Sequence, residues 1–212
     1  MAESSKRTVL VKDPAGVGAV ILAAGPSTRM GEPKQLLEFC GQSLLRRAAS
    51  LALESGCRPV VVVTGANAAA SRENLRGLDV NVAENHDWQS GMSSSVRVGV
   101  DAIAPNPKIE AVVLMLCDQP FVTEDVIFEL VRAYREKKCS IVASRYAESY
   151  GVPALFDRMH FAELMALEGE TGAKRVIERH LRNVHLLSFP EGKIDIDTPE
   201  DFARLQSKSP GS

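Results

Sequence analysis

The sequence predicts an α/β protein of three layers, in which helices cover both faces of a mostly parallel, Rossmann-like sheet. Two observations carry this prediction. Strand-like runs alternate along the chain with helix-like runs. The strand-like runs are also apolar throughout, as in Pro59–Thr64 (Pro-Val-Val-Val-Val-Thr), rather than apolar at every second residue. Continuous apolar strands are typical of parallel sheets that are buried on both faces.

The individual elements follow from the spacing of apolar residues and from turn residues. A run rich in β-branched residues over 17–24 predicts the first strand, and it stops at Gly25. Apolar residues at helical spacing predict a helix over 42–55 that a glycine ends, and Thr123 caps an amphipathic helix over 123–137. The remaining predicted elements are strands at 59–64, 79–83, 110–117, 139–144 and 184–188, an extended insert at 151–156, and helices at 67–75, 94–104, 157–167, 172–181 and 198–206.

Length and composition predict one sizeable domain over 17–206, with residues 1–16 and 207–212 as flexible tails. Of the 212 residues, 45% are hydrophobic and 25% are charged, which is sufficient for a full core. The net charge of −2 argues against a dedicated binder of nucleic acid or of membrane surfaces. No apolar run approaches a membrane span, and residues 1–16 lack the apolar centre of a signal peptide, so we expect a cytoplasmic protein.

The cysteines and histidines form no metal or redox motif in the sequence. The cysteines are widely spaced without a Cys-x-x-Cys pair, and three of them lie in or beside apolar runs, which predicts buried free thiols. The histidines show no metal-ligand spacing, so no role is assigned to them. The residues concerned are Cys40, Cys57, Cys117, Cys139, His86, His160, His180 and His185.

Gly25–Lys34 is the most informative loop, because it follows the first strand and carries two cations. A glycine turn offers backbone N–H groups, Arg29 can bind two phosphate oxygens at once, and Lys34 supplies a point charge. These are the parts needed to hold a triphosphate. The alternative is a βα turn with two solvated cations.

Ligands of open α/β sheets bind beyond the carboxyl ends of the strands, so one face should hold the loops at 25–34, 64–67, 84–94 and 117–122.

Asp118 lies in Cys-Asp-Gln-Pro, directly after the apolar strand 110–117. A carboxylate there is suited to bind Mg²⁺ opposite Gly25–Lys34, which we call the phosphate loop. Asp close before Pro also occurs in simple turns. Asp195 and Asp197 alternate in a strand-like segment and so face one side, where one of them would complete the metal site. The following Thr-Pro-Glu-Asp, from Thr198, is a favourable helix start.

Two further glycine motifs precede predicted helices. In Gly91-Met-Ser-Ser-Ser one serine would be the N-cap, which leaves other hydroxyls, such as those of Ser94 and Ser95, to bind a base edge or a phosphate. Gly169-Glu-Thr-Gly-Ala-Lys174 is either a cap or a glycine-flanked anion site.

Together these residues resemble the molybdenum cofactor cytidylyltransferase family, whose members have the nucleotide-diphospho-sugar transferase fold. The resemblance runs from about residue 18 to 205. It rests on Leu-Ala-Ala-Gly-x-Ser-x-Arg-Met-Gly-x-x-Lys-x-Leu-Leu, Gly-Met-Ser-Ser-Ser, Asp-Gln-Pro, Gly-Val-Pro-Ala-Leu-Phe and Asp-Ile-Asp-Thr-Pro-Glu-Asp. The chain departs from the family at Cys117, which is often glycine, and at Glu170 and Lys174, which are often aspartate and arginine.

The resemblance implies transfer of CMP from CTP to the terminal phosphate of a molybdopterin-type cofactor, with Mg²⁺ as the cofactor and pyrophosphate as the second product. Related guanylyltransferases have glycine in place of Ala24, so Ala24 favours cytosine. A recipient molybdoenzyme or its chaperone would be a further partner. The implied catalytic residues are Arg29, Lys34 and Asp118, and the implied metal ligands are Asp118 and Asp197. Nucleotide binding is assigned to Leu22, Ala23, Ala24, Gly25, Arg29, Lys34, Gly65, Gly91, Ser94, Ser95 and Asp118, and acceptor binding to Gln119, Pro120, Gly151, Pro153, Gly172 and Lys174.

Two other functions stay open. One is nucleotidyl transfer to a different phosphorylated acceptor, such as a sugar phosphate or a methylerythritol phosphate, against which Gly-Met-Ser-Ser-Ser and Asp-Gln-Pro argue. The other is a non-catalytic chaperone that binds a nucleotide or cofactor on the same fold. The presence of Arg29, Lys34, Asp118 and Asp197 argues against that loss of activity.

Overall fold

The computed structural model describes residues 16–196 and 198–207, and one seven-stranded sheet forms its centre. The strands of this sheet are β1 (Val17–Ala23), β4 (Val60–Thr64), β5 (Asn81–Glu84), β6 (Ala111–Leu116), β7 (Ile141–Tyr146), β8 (Ser149–Asp157) and β9 (Val184–Ser188), and β2 (Glu38–Phe39) pairs with β3 (Gln42–Ser43) in a separate small hairpin. The helices are α1 (Leu44–Glu54), α2 (Ala68–Asn74), α3 (Met92–Ile103), α4 (Glu124–Lys137), α5 (Phe161–Met165), α6 (Lys174–Arg179) and α7 (Pro199–Ser207). Within the described residues, no helix has the length and apolar character that crossing a membrane requires.

The predicted three-layer α/β fold with a mostly parallel sheet is confirmed. The strand order is β5-β4-β1-β6-β8-β7-β9, and only β8 runs against its neighbours. Because side chains alternate across a strand, each buried strand contributes to two cores. One core packs the sheet against α1 and α4, and the other packs it against α3, α5 and α6.

Residues 151–156, which were predicted only as an extended insert, belong to the strand β8. It lies at the centre, between β6 and β7. A two-residue turn joins β7 directly to β8, which makes that pair antiparallel. The register shifts between Ala143 and Ser144, and the Ser144 hydroxyl donates to the Pro153 carbonyl (2.6 Å). The bulge is how the ladder accommodates a residue that cannot donate a backbone hydrogen bond.

Several smaller predictions need correction. The segment predicted as a helix over 157–167 is a short 3₁₀ turn followed by the five-residue α5. Residues 194–196 form no strand, so the strand-like alternation expected there is wrong for the described residues. Cys40 is exposed at the tip of the small hairpin, whereas Cys57 and Cys117 are buried free thiols as expected. The predicted start of α7 is confirmed, since Thr198 and Asp201 cap each other reciprocally.

The contact between α3 and the sheet depends on a glycine. A Cβ atom at Gly99 would lie 2.3 Å from Cγ1 of Val20 and 3.0 Å from Cγ2 of Val63. Alanine gains about 1 kcal/mol of helix propensity over glycine, but overpacking a tight core costs about 1–3 kcal/mol. The overlap on Val20 is severe, so we expect Gly99→Ala to lower the free energy of unfolding by about 2 kcal/mol. Urea denaturation measures this loss.

Gly25→Ala is the matched control for that experiment. A Cβ atom at Gly25 would have nothing within 4 Å, and its backbone is outside the left-handed region. We expect its free energy of unfolding to stay within about 0.5 kcal/mol of the wild-type value. Equal stability of the Gly99→Ala and Gly25→Ala variants would contradict the close packing of α3 on the sheet.

Candidate functional site

A cavity of about 480 Å³ lies beyond the carboxyl ends of β1 and β6, where the sequence places its ligand loops. The walls come from the segments after β1, β5 and β6 and, through Glu170, from the loop before α6. Its lining includes the predicted nucleotide-binding residues Leu22, Ala23, Ala24, Gly25, Arg29, Lys34, Gly91, Ser95 and Asp118, together with Pro26, Gln35, Trp88, Gln89, Met92, Leu116, Cys117 and Glu170. We refer to this candidate site as the nucleotide pocket, after the binding role predicted for its residues.

The loop after β1 is held in shape from its middle. Ser27 adopts a left-handed backbone (φ 56°), its hydroxyl accepts from the Lys34 backbone N–H (3.0 Å), and it donates to Gln35 Oε1 (3.1 Å). Met30 is buried in a small apolar cluster with Leu37 and with residues of the β2–β3 hairpin and of α7. The two anchors fix the path of the loop, so Arg29 and Lys34 are presented to the pocket.

Lys34 and Asp118 meet across the pocket, although they are far apart in sequence. The Lys34 ammonium donates to Oδ2 of Asp118, whose side chain is only 10% exposed. The other carboxylate oxygen, Oδ1, is buried without a hydrogen-bond partner. A buried carboxylate oxygen without a donor is costly, unless a ligand or cation completes it. The Asp118 carbonyl also accepts from the Ile196 N–H (3.4 Å), so the C-terminal segment passes directly beside this residue.

Gln35 is a pocket residue that the sequence analysis missed. It is 1% exposed, lines the nucleotide pocket, and its Nε2 has no hydrogen-bond partner. The bond from Ser27 to Oε1 orients the amide, which leaves two N–H donors for a ligand. The available signal was its position directly after Lys34 in the loop.

The serines after Gly91 have a different arrangement from the one predicted. The helix α3 begins at Met92 with Gly91 as its N-cap, so the expectation that a serine caps it is wrong. Asn85 donates to the hydroxyls of Ser94 (2.8 Å) and Ser95 (2.9 Å), and Ser94 donates to the Gly91 carbonyl (2.8 Å). Ser94 is therefore committed to a buried network, whereas Ser95 also lines the pocket.

Two glycine loops interlock beside the pocket. Gly91 has φ 102°, and a Cβ atom there would lie 2.7 Å from the Gly169 carbonyl oxygen, which accepts from the Ser93 N–H (3.2 Å). A Cβ atom at Gly172 would lie 2.8 Å from Sδ of Met92. The segment 169–174 therefore packs on the start of α3, and it provides no side-chain cap for α6. Contact between these loops could not be predicted from either motif alone.

Other predicted residues lie outside the lining of the nucleotide pocket. Gly65 packs against Ala24 and Trp88, where a Cβ atom would lie 2.7 Å from the Ala24 carbonyl oxygen. Gln119 donates to the carbonyls of Val152 (3.1 Å) and Gly192 (3.2 Å). Pro120 and Gln119 line a small cavity on the α1 side of the sheet.

Three other predicted acceptor residues, Gly151, Pro153 and Lys174, lie in or beside the β7–β8 hairpin. Lys174 donates to the Ser149 hydroxyl (3.2 Å), and its ammonium lies 5.6 Å from the centre of the Tyr150 ring. A Cβ atom at Gly151 would lie 2.4 Å from the Tyr146 hydroxyl, so the two residues are in close contact. Pro153 lies deeper in β8 and is fully enclosed by the sheet.

Of the two candidate aspartates near the C-terminus, only Asp195 belongs to the described residues. Asp195 is exposed and lines a separate cavity of about 360 Å³ with Phe121 and Lys193. Burial and the Asp195 carboxylate raise the pKa of the Tyr146 phenol. Asp197 lies outside the described residues.

Cys117 replaces a frequent family glycine next to Asp118 and lines the pocket. Burial, and next the Asp118 carboxylate, raise the pKa of its thiol well above the usual range. The thiol is therefore protonated at neutral pH. Because the thiolate is the reactive form, Cys117 is not suited to act as a nucleophile or redox centre there.

Comparison with known proteins gives one family. The family model described as "MobA-like NTP transferase domain" matches residues 19–184. The chain is 34% identical over 200 residues to nicotine blue oxidoreductase of Paenarthrobacter nicotinovorans, covering 89% of this chain and 96% of that protein. It is 28% identical over 201 residues to a molybdenum cofactor guanylyltransferase of Rhodobacter capsulatus, covering 91% and 96% of the two chains.

Among solved structures, the Rv0371c protein of Mycobacterium tuberculosis H37Rv is 31% identical and superposes with a TM-score of 0.76, covering 92% of this chain and all of that one. A complex of that protein with manganese gives a TM-score of 0.73 at 29% identity, with the same coverage. The family match, the pocket at the strand ends and the topology of the sheet all indicate the same family and fold. The chain belongs to the MobA-like NTP transferase domain family and has the α/β fold of nucleotidyltransferases.

Proposed function

We propose that this protein transfers CMP from CTP to the terminal phosphate of a molybdopterin-type cofactor. The observation that carries the proposal is the Lys34–Asp118 pair across the nucleotide pocket, with Asp118 Oδ1 left unpartnered. A cation and a carboxylate that line one pocket are suited to a phosphate chain and to the metal that accompanies it. Membership of an NTP transferase family supports the same class of reaction.

In this mechanism an oxygen of the acceptor phosphate attacks the α-phosphorus of CTP. A new P–O bond forms there, the bond from the α-phosphorus to the β-phosphate oxygen breaks, and pyrophosphate leaves with the electron pair. The attacking oxygen is already anionic, so no general base is needed. Arg29 and Lys34 hold the β- and γ-phosphates and stabilise the charge that develops on the leaving group. Alignment of two polyanions is then the main task of the pocket.

Asp118 is the described residue that would hold a divalent cation, through Oδ1. A hard oxygen ligand suits Mg²⁺ or Mn²⁺. When bound, such an ion would withdraw charge from the α- and β-phosphates. We propose Asp197 as the second ligand. The hydrogen bond from the Ile196 N–H to the Asp118 carbonyl supports this assignment, because it brings the preceding residue beside Asp118.

The finer specificity rests on fewer residues. Ala24 lines the pocket where related guanylyltransferases have glycine, which favours cytosine as the base. For the acceptor we propose Gly151 and Lys174 at the β7–β8 hairpin, where Lys174 supplies a cation for a phosphate, together with Gly172 beside Met92. We also propose that the protein is cytoplasmic. Its partner would be the molybdoenzyme that receives the product, or the chaperone of that enzyme.

A second candidate function is hydride transfer from a reduced nicotinamide dinucleotide. The observation that favours it is the 34% identity with nicotine blue oxidoreductase. A pocket for nucleotide phosphates would also accept a reduced nicotinamide dinucleotide, which is a hydride donor. The protonated state of Cys117 argues against thiol redox chemistry but not against direct hydride transfer. The two candidates differ in their products, so one set of assays separates them.

The deciding experiment measures pyrophosphate release from CTP, GTP and ATP with a molybdopterin acceptor, in the presence of Mg²⁺ or Mn²⁺. Parallel reactions use a sugar phosphate or methylerythritol phosphate as the acceptor. A further reaction measures consumption of a reduced nicotinamide dinucleotide with nicotine blue. We expect release with CTP and the molybdopterin acceptor. Binding of CTP without release of its pyrophosphate in the presence of any of these acceptors would instead favour a chaperone.

Gln35 provides a test of the pocket itself. Gln35→Met keeps the volume of the side chain but removes the amide donors. A hydrogen bond to a charged group contributes about 1.5–3 kcal/mol, so we expect KM for CTP to rise about 10- to 100-fold. Steady-state kinetics measure this, with Gln42→Met, on the exposed hairpin strand β3, as the control. An unchanged KM would assign Gln35 to packing alone.

A further inference from the structure

A cluster of two imidazoles and one carboxylate lies away from the nucleotide pocket. His160 and Glu163 lie at the start of α5 and His180 follows the end of α6. The cluster lies just after the last residue of β8, which pairs with Ala111 at the start of β6. The nucleotide pocket lies beyond the other end of β6. These histidines have no metal-ligand spacing along the chain because the ligands come from two separate helical segments.

The three side chains point at one another. Glu163 Oε2 lies 2.7 Å from Nε2 of His180 and 3.8 Å from Nδ1 of His160, and the two rings are 4.7 Å apart between centroids. One ligand atom from each residue lies within 4.8 Å of the other two. A tetrahedral zinc ion with bonds of about 2.0–2.1 Å holds its ligand atoms about 3.3 Å apart. Side-chain movements of about 1 Å would therefore reach that geometry.

Contacts outside the cluster orient its ligands. Nε2 of His160 is within hydrogen-bond distance of the Ser140 hydroxyl (2.9 Å), which leaves Nδ1 facing Glu163. The Arg179 guanidinium donates to Glu163 Oε1 (2.9 Å), which leaves Oε2 facing the two imidazoles. Outer hydrogen bonds of this kind fix ring orientation and carboxylate position in metal sites.

We propose that His160, Glu163 and His180 bind one transition-metal ion, for which Zn²⁺ is the best chemical match. Two imidazoles with one carboxylate are a typical zinc ligand set, while Mg²⁺ prefers oxygen ligands. His180 is half-exposed, so the fourth position opens to solvent and is completed by water. The ion would tie α5 to α6 on the face of the sheet that also carries α3.

The test titrates the chelator-treated, full-length chain with ZnCl₂ by calorimetry, and with Co²⁺ by visible absorption. We expect one Zn²⁺ per chain and the absorption bands of tetrahedral Co²⁺. His180→Asn and Glu163→Gln should each weaken Zn²⁺ binding by at least about tenfold, and Ser140→Ala by about 10- to 100-fold. His180→Asn is preferred to a change at buried His160, because its half-exposed position keeps the core intact.

Two control variants separate this site from other ligands in the chain. His86→Asn removes an exposed histidine beside Glu84, and Asp101→Asn removes an exposed carboxylate on α3. Both should bind Zn²⁺ as the wild type does. Absence of Zn²⁺ binding, or equal affinity in the wild type and His180→Asn, would overturn the proposal and leave the cluster as a network of ion pairs. This result does not depend on nucleotidyl transfer.

Discussion

Replacing Arg29 by alanine is expected to lower kcat/KM for CTP by about 10²–10³-fold, by analogy with single oxyanion donors and arginine fingers. Arg29 lines the nucleotide pocket on the loop that Ser27 and Met30 hold in place. Its planar guanidinium can bind two phosphate oxygens at once, and its charge offsets the charge that develops on pyrophosphate. Pyrophosphate release at saturating and limiting CTP measures the loss.

Two further variants make the Arg29 result interpretable. Arg29→Lys keeps the charge but loses the paired contact, so its rate should fall between those of the wild type and Arg29→Ala. Arg132→Ala removes an exposed arginine on α4, whose guanidinium pairs with Glu129, and should leave the rate unchanged. A rate for purified Arg29→Ala close to that of the wild type would exclude Arg29 from the reaction.

Asp118→Asn is expected to lower kcat by about 10³-fold and to raise the Mg²⁺ or Mn²⁺ concentration needed for half-maximal rate. The substitution keeps the shape of the side chain but removes the negative charge. It also replaces the ion pair with the Lys34 ammonium by a weaker hydrogen bond, because an amide oxygen accepts without a charge. The effect should therefore appear in the metal titration as well as in the rate at saturating metal.

The control for this variant is Asp101→Asn, at an exposed position on α3. It should give the wild-type metal titration. Thermal unfolding of both variants reports whether either change disturbs the fold. An Asp118→Asn protein that folds normally and shows the wild-type metal titration would contradict the assignment of Asp118 to a metal, whatever its rate.

Most of the sheet could be predicted from the sequence because its strands are buried on both faces. Continuous apolar runs such as residues 60–64 are typical of a parallel sheet that is covered on both faces. The strand β8 could not be placed in the same way, because its neighbours are decided by a hairpin turn and by a bulge that accommodates Pro153. Both are properties of the paired strands, and single-strand patterns do not contain them.

The charged part of the site was predictable for a related reason. Lys34 and Asp118 both follow strand ends, and the topology of a parallel sheet brings such residues to one edge. Gln35 was missed because a neutral amide gives no charge signal, and its burial depends on the contact with Ser27. The position of Ser94 outside the pocket lining could not be predicted, because the start of α3 is decided by Gly91 and by its contact with Gly169.

The central position of β8 has a consequence for synthesis on the ribosome. Until residues 149–157 have emerged, β6 has β1 on one side and an unpaired edge on the other. An unpaired apolar edge is a site of aggregation for a nascent chain. A chain truncated after residue 145 would contain the whole phosphate loop and Asp118, yet it would lack the strand that joins the two halves of the sheet.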